Sequence, residues 1–533
     1  MVGMSSAFDP PNEKTSLRLG EAVAADDIPA VLPIGPSSQN GRLSRISPAL
    51  HRLLRPLVKS SYPCPDCSSS TAQRLKYHLL LPPSGIVARL ITLLLLATLT
   101  WAALWSLFPA EMLRKSSISG LYLLLLAGLV AGWLVERIKL APLLGMLIVG
   151  VLFRNVYPID FAKHIDRSCS GAIRNIALAI ILTRAGLGLE QEAIKKRFWA
   201  VMSLAIVPTL SITAFITLVG HYMNGLPWLF SAALGFLISA VSPAVIVPIL
   251  LVFQEEKLGQ EKGLPSLLIA AAIICDVIAI CGNSICLGIA LSNGNLQFNI
   301  AAIFLTFIAG IGFGLFAGWI LTHFPAGDDD WATIFRFILL VCTGLLCIFG
   351  SKAVNLSGAG ALAALIVPMV AGQGWRRKGC SDSLQEISVS LKTGWFIFQP
   401  LLFGLIGAAV DVTSLQRDKV GLFMALLFSA HALQLAATYV ATCNFGFNCK
   451  ENLFLAIGFL PKATIQAAIG STALDIATKN QMGPDLIQLG TDTLNCAVLA
   501  ILFFAPIGGV LLMATGRHLL DKPAPATPQA PRP

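Results

Sequence analysis

From Ile86 to Ala514 the chain repeats one pattern, a long apolar run followed by a short polar or charged joint. At 1.5 Å of rise per residue, a run of about 20 residues crosses the hydrocarbon core of a bilayer as a helix. About fourteen such segments are predicted. They fall near 86–108, 118–136, 140–156, 171–189, 198–223, 228–253, 264–292, 298–322, 331–350, 357–373, 389–410, 420–445, 451–474 and 487–515. The expected fold is therefore an all-α polytopic membrane protein. An even number of crossings leaves both termini on one side.

Outside this region the pattern stops. Residues 1–85 are rich in proline, serine and charge, and read as a disordered cytoplasmic tail. Their start lacks the basic-then-apolar order of a signal peptide. The expected domains are this tail, a transmembrane domain over 86–515, and a short cytoplasmic tail over 516–533. Cys64 and Cys67 have the spacing of metal ligands, but a zinc site needs two more and none lies nearby, so they read as part of the tail.

Composition agrees with the pattern. The 533 residues are 55% hydrophobic and 12% charged, against about 25% charged in a soluble domain. The net charge of +10 does not point to nucleic acid, because the bases sit at helix ends and in the N-terminal tail. Lys195-Lys196-Arg197, Arg376-Arg377-Lys378 and Arg517 share a side with the tail, whereas loops 224–227 and 293–297 carry no base. The excess of bases marks the cytoplasmic side and places both termini there, with Arg154, Lys163 and Arg167 as exceptions. The plasma membrane is the expected location, with an organelle membrane as the alternative. No phosphate-binding glycine loop and no nucleophile–base spacing suggests an enzyme.

Two segments are interrupted. The sixth contains Ser242, Pro243 and Pro248, and the thirteenth contains Pro461, Lys462 and Thr464. A proline removes a backbone donor and clashes with the preceding turn, and such breaks survive in lipid only when buried in protein or lining a wet cavity. Taking segments 2–7 and 9–14 as two units joined by segment 8, the interrupted helix is the fifth member of each. The units enter the membrane from opposite faces. Interrupted helices at matching places in inverted repeats point to the midplane site of a secondary transporter.

Asp276 follows the first interrupted helix, within an apolar run from Leu264 to Leu291. A carboxylate at that depth costs about 3 kcal/mol or more, so it faces protein or water and is a functional candidate by default. It can hold a proton or a monovalent cation, with oxygen donors suited to a hard ion. Cys275 is its neighbour, and Ser242, Thr464 and freed carbonyls are candidates to complete the shell. Lys462 is expected to neutralise carbonyl ends of the broken helices. Asp492 is a secondary candidate, either paired with Lys462 or near the membrane surface. Arg174 and Arg184 share segment 4, and a structural or snorkelling role is expected for them. Gly310, Gly314 and Gly318 read as a packing face, with a dimer contact as one expectation.

Several strings in order carry a family resemblance: LLGMLIVGVLFRN (143–155), ILTRAGLGL (181–189), GLPW (225–228), AVSPAVIVP (240–248), IFQPLLFGLIGA (397–408) and LPKATIQAAIGS (460–471). Over about 86–515 the chain resembles the animal NHA branch of the monovalent cation/proton antiporters, the sodium/hydrogen exchanger 9B group. The resemblance implies crossed broken helices, a core domain moving against a dimerisation domain, a homodimer, and sodium or lithium exchanged for protons. It implies that Asp276 is the second Asp of the family's Asp-Asp motif, that Ser242 and Pro243 form the first break, and that Lys462 is the lysine of the second. Three positions depart from it. Cys275 replaces the first Asp, Gln434 aligns with an intramembrane base, and Ile212 aligns with an acid resembling that base's partner.

Losing one positive and two negative groups together avoids stranding a buried charge, which costs about 3–5 kcal/mol. A single titrating carboxylate then trades one proton for one cation, so electroneutral exchange of sodium, potassium or lithium for protons is expected, with no cofactor. The alternatives are proton-coupled chloride symport at Lys462 and helix N-termini, or a non-transporting regulatory relative.

Overall fold

The computed structural model describes residues 86–109, 116–138, 140–189, 197–291, 296–325, 331–354, 356–412 and 417–520. The expected N-terminal tail with Cys64 and Cys67, the Lys195-Lys196 pair, and the chain beyond Leu520 lie outside these residues.

The helices in chain order are α1 (Ile86–Leu107), α2 (Ser117–Arg137), α3 (Pro142–Asn155), α4 (Arg167–Gly188), α5 (Phe198–Tyr222), α6 (Trp228–Ser239), α7 (Pro243–Glu255) and α8 (Leu264–Ala290). They continue as α9 (Leu296–His323), α10 (Ala332–Ala353), α11 (Ser357–Arg377), α12 (Ser381–Ala408), α13 (Arg417–Thr442), α14 (Cys449–Gly458), α15 (Thr464–Ile469), α16 (Thr472–Lys479) and α17 (Pro484–Leu519). The described residues up to Leu96 belong to α1, and the other helices lie in the larger compact unit, Ala97–Pro533.

Among the described residues, twelve spans are long and apolar enough to cross a membrane, with α6 and α7 counted as one. Two of the fourteen expected segments differ in form. The segment at 140–156 is α3, only 14 residues long. The segment at 451–474 is no single helix but the short pieces α14, α15 and α16. α14 starts sharply because Asn448 and Glu451 form a reciprocal capping box. It ends before Pro461, and the next helix does not begin until Thr464.

Within the larger unit the helices sort into two bundles. One gathers α2, α3 and α4 with α9 to α12; the other gathers α5 to α8 with α13 to α17. They meet chiefly where α8 lies on α11 and α4 on α15. The glycine face of α9 is used inside this chain: a Cβ on Gly314 would stand 2.7 Å from Ile366 Cβ, and one on Gly318 2.7 Å from Val370 Cβ, both on α11. The glycine face of α9 thus packs on α11 of the same chain. Small residues allow this close backbone approach.

The first break is narrower than the sequence suggests. Residues 240–242 leave the helix, Pro243 takes the first position of α7, and Pro248 sits inside an unbroken helix. Proline is tolerated at a first helical position, where its missing N–H has no intrahelical partner anyway. Pro248 is thus a residue of α7 and not part of the break.

Candidate ion site

A helix that stops in the membrane leaves its last carbonyls and first amides unpaired. In an α-helix the N–H of residue 243 would bond the carbonyl of residue 239, but Pro243 has no N–H. The Ser239 carbonyl is instead met by three side chains: Lys462 Nζ donates to it at 3.0 Å, and Cys275 Sγ and Gln434 Nε2 approach at 3.5 Å each. Gln466 Nε2 donates to Leu237 O at 2.9 Å and Ala240 O at 3.0 Å. The Ser242 amide donates to Pro461 O at 2.9 Å, which joins the two breaks directly. Side chains from across the second bundle thus absorb the polar backbone of the first break.

Asp276 on α8 is 3% exposed and faces this crossing. Its Oδ1 accepts the backbone N–H of Val241 at 3.0 Å. Ser242 Oγ and Thr464 Oγ1, one from each break, stand 3.5 Å apart. Ser242, Thr464, Lys462, Gln434 and Cys275 are all buried. So Asp276, Cys275, Ser242, Thr464, Lys462, Gln434 and the prolines Pro243 and Pro461 come together, as the sequence suggests. Lys462 pairs with a carbonyl end, the contact expected of it.

The three neutral departures also have a place. Cys275 and Gln434 reach the same carbonyl from α8 and α13. Thr209 Oγ1 lies 3.0 Å from Cys275 Sγ. Ile212, fully buried, follows Thr209 by about one turn of α5. Where this chain has a thiol, an amide and an alkyl group, the resemblance implies two acids and a base.

Other candidates stand apart. Asp492 does not meet Lys462: it is bound by Lys419 Nζ and Gln488 Nε2, each at 2.9 Å. The ion pair of Asp492 with Lys419, about two turns into α17, ties that helix to α13. Arg184 is half-buried on α4 and takes no part in the crossing. Arg174 is not snorkelling; it is 3% exposed and donates to Asp475 Oδ2 at 2.6 Å and Ser170 Oγ at 2.5 Å. This pair spans the two bundles, from α4 to α16.

Sequence reasoning passed over Thr209, Gln466 and Ser239. Two of them carried a signal. Ser239 precedes Pro243 by four residues, the spacing of the lost helical bond, and Gln466 follows Lys462 by four, in the first turn of the helix after the second break.

The comparisons agree with this architecture. The family model "Sodium/hydrogen exchanger, transmembrane" matches residues 121–517. The chain is similar to the human sodium/hydrogen exchanger 9B2, 39% identical over 456 residues that cover 84% of each chain. It is also similar to the human sodium/hydrogen exchanger 9B1, 35% identical over 83% of this chain and 85% of that one. Among solved structures, the sodium proton antiporter MjNhaP1 from Methanocaldococcus jannaschii has a TM-score of 0.60 at 18% identity, covering 76% of this chain and 98% of its own, which shows a shared fold. By family match, by identity across most of its length and by fold, this multi-pass membrane protein belongs to the sodium/hydrogen exchanger family.

Proposed function

We propose that this chain exchanges one monovalent cation (sodium, with lithium and potassium as alternatives) for one proton at Asp276, with no net movement of charge. The observation that carries the reading is the setting of Asp276. It is a buried carboxylate held by one backbone N–H at the crossing, with a thiol and an amide converging on the adjacent carbonyl where further charge is expected. One carboxylate binds either one proton or one monovalent cation. Hydroxyls of Ser242 and Thr464 and the break carbonyls are suitable hard donors for a partly dehydrated ion.

Alternating access is supported by the division into two bundles. The breaks, Asp276 and Lys462 all lie in the second, so it can carry the ion past the first as a unit. Cytoplasmic termini are supported by the charge bias of the loops; a homodimer in the plasma membrane completes the reading.

The test is purified protein in liposomes with a trapped pH dye, with sodium, potassium and chloride gradients applied separately. Proton flux driven by sodium, insensitive to chloride and abolished by Asp276→Asn, is the expected result. Proton uptake that needs chloride and ignores sodium would replace cation exchange with anion symport. No flux under any gradient would leave a non-transporting relative.

A further inference from the structure

We propose that Gln466 is a positioning residue for Asp276, acting through the single peptide unit between Ala240 and Val241. The inference rests on the reading of Asp276 as the ion site. The carbonyl of Ala240 and the N–H of Val241 belong to one planar group. Gln466 Nε2 donates to that carbonyl at 3.0 Å, and that N–H donates to Asp276 Oδ1 at 3.0 Å. Fixing the oxygen end of a rigid plane fixes the direction of its N–H, so the amide aims the donor that the carboxylate receives.

The second bond of Gln466 acts to the same end. If α6 continued, the Val241 N–H would turn to the carbonyl of Leu237, four residues back. Gln466 occupies that carbonyl at 2.9 Å. The side chain therefore competes for the helical partner of the N–H and anchors the plane that points it at Asp276. A donor on the carbonyl also polarises the peptide and strengthens the N–H at its far end.

The orientation of the amide is not free. Two carbonyl oxygens call for its NH2, which sends Oε1 into a buried place with no hydrogen-bond partner among the described residues. An unsatisfied buried oxygen is unfavourable and calls for a reason. Here the reason is that both donors are committed to the break. Gln466 is fully buried in the first turn of α15, just past Lys462, so a residue of the second break and a residue of the helix that follows it both serve the carbonyl end of the first.

The experiment uses the full chain with Gln466→Met, which keeps length and volume but removes the donors, beside Gln466→Glu and Asp276→Asn. In liposomes, Gln466→Met should raise the KM for sodium by about tenfold, the scale of losing the aimed Val241 N–H bond to the Asp276 carboxylate, with the maximal rate per folded protein changed far less. By hydrogen–deuterium exchange, the backbone at 240–242 should exchange about tenfold faster than in the unaltered chain. An unchanged KM in a variant whose exchange still requires Asp276 overturns the inference and leaves the transport reading standing. Exchange that survives Asp276→Asn overturns the transport reading. The protection of Val241 then decides alone, and unaltered protection in Gln466→Met rejects the positioning role.

Discussion

Lys462 fills the carbonyl that Pro243 leaves empty. Its Nζ stands 3.0 Å from Ser239 O, the acceptor that an N–H at position 243 would take only if α6 ran on without a break. The proline and the lysine come from different breaks, far apart in sequence, and together close one hydrogen-bond account. Lys462→Met should leave that buried carbonyl with weaker donors and cost about 1–3 kcal/mol. Thermal unfolding in detergent should show the loss, together with a fall in exchange of more than tenfold in liposomes. Pro243→Ala supplies the missing N–H. It should draw the chain back toward helix, turn Val241 from Asp276 and slow exchange without lowering the melting temperature.

Asp276→Asn keeps an oxygen to accept the Val241 N–H and removes a buried charge. Stability should hold or rise, because a neutral isostere carries less desolvation cost. Sodium-driven proton flux should vanish. A folded, monodisperse variant without flux checks both halves of the prediction.

Cys275→Asp places a second carboxylate where its thiol now meets Ser239 O, and should cost about 3 kcal/mol or more in melting experiments. Gln434→Arg reaches the same carbonyl from α13, so the double variant should recover much of that loss as a buried pair. The restored acid adds a second negative site. Under voltage clamp, the double variant should pass a current that follows the sodium gradient, whereas the unaltered chain should not.

Asp475→Asn removes the charge that faces Arg174 between the two bundles. Asp475 is about one-third exposed (side chain 33%) and Arg174 is not (4%). The loss should therefore fall below that of a fully buried pair, at about 1–2 kcal/mol. A lower melting temperature with an unchanged KM for sodium would separate this contact from the ion site.

The breaks were legible in the sequence because their cause is local: a proline lacks an N–H wherever it stands. Asp276 was legible because a carboxylate in an apolar run is costly in any fold. The partners were not. Lys462 meets Ser239, and Asp492 meets Lys419, through tertiary packing that spacing along the chain does not encode. Pro248 shows the converse: a helix-breaking residue whose surroundings let the helix continue. The stripe of Gly310, Gly314 and Gly318 was recognisable as a contact face, but whether a helix of this chain or another copy filled it depended on the position of α11. The co-loss of charge at Cys275 and Gln434 followed from the family resemblance. Their convergence on one oxygen atom is what the fold adds.

That glycine stripe sets where the molecule can bend. With Gly314 and Gly318 seated against Ile366 and Val370 so closely that a single methyl group would collide, α9 and α11 leave no room to shift against each other. If the second bundle moves against the first, as proposed, the motion falls where α8 meets α11 and α4 meets α15 and not between α9 and α11. A methyl added at Gly314, a position that takes no part in the ion site, should jam the machine as surely as the loss of the carboxylate.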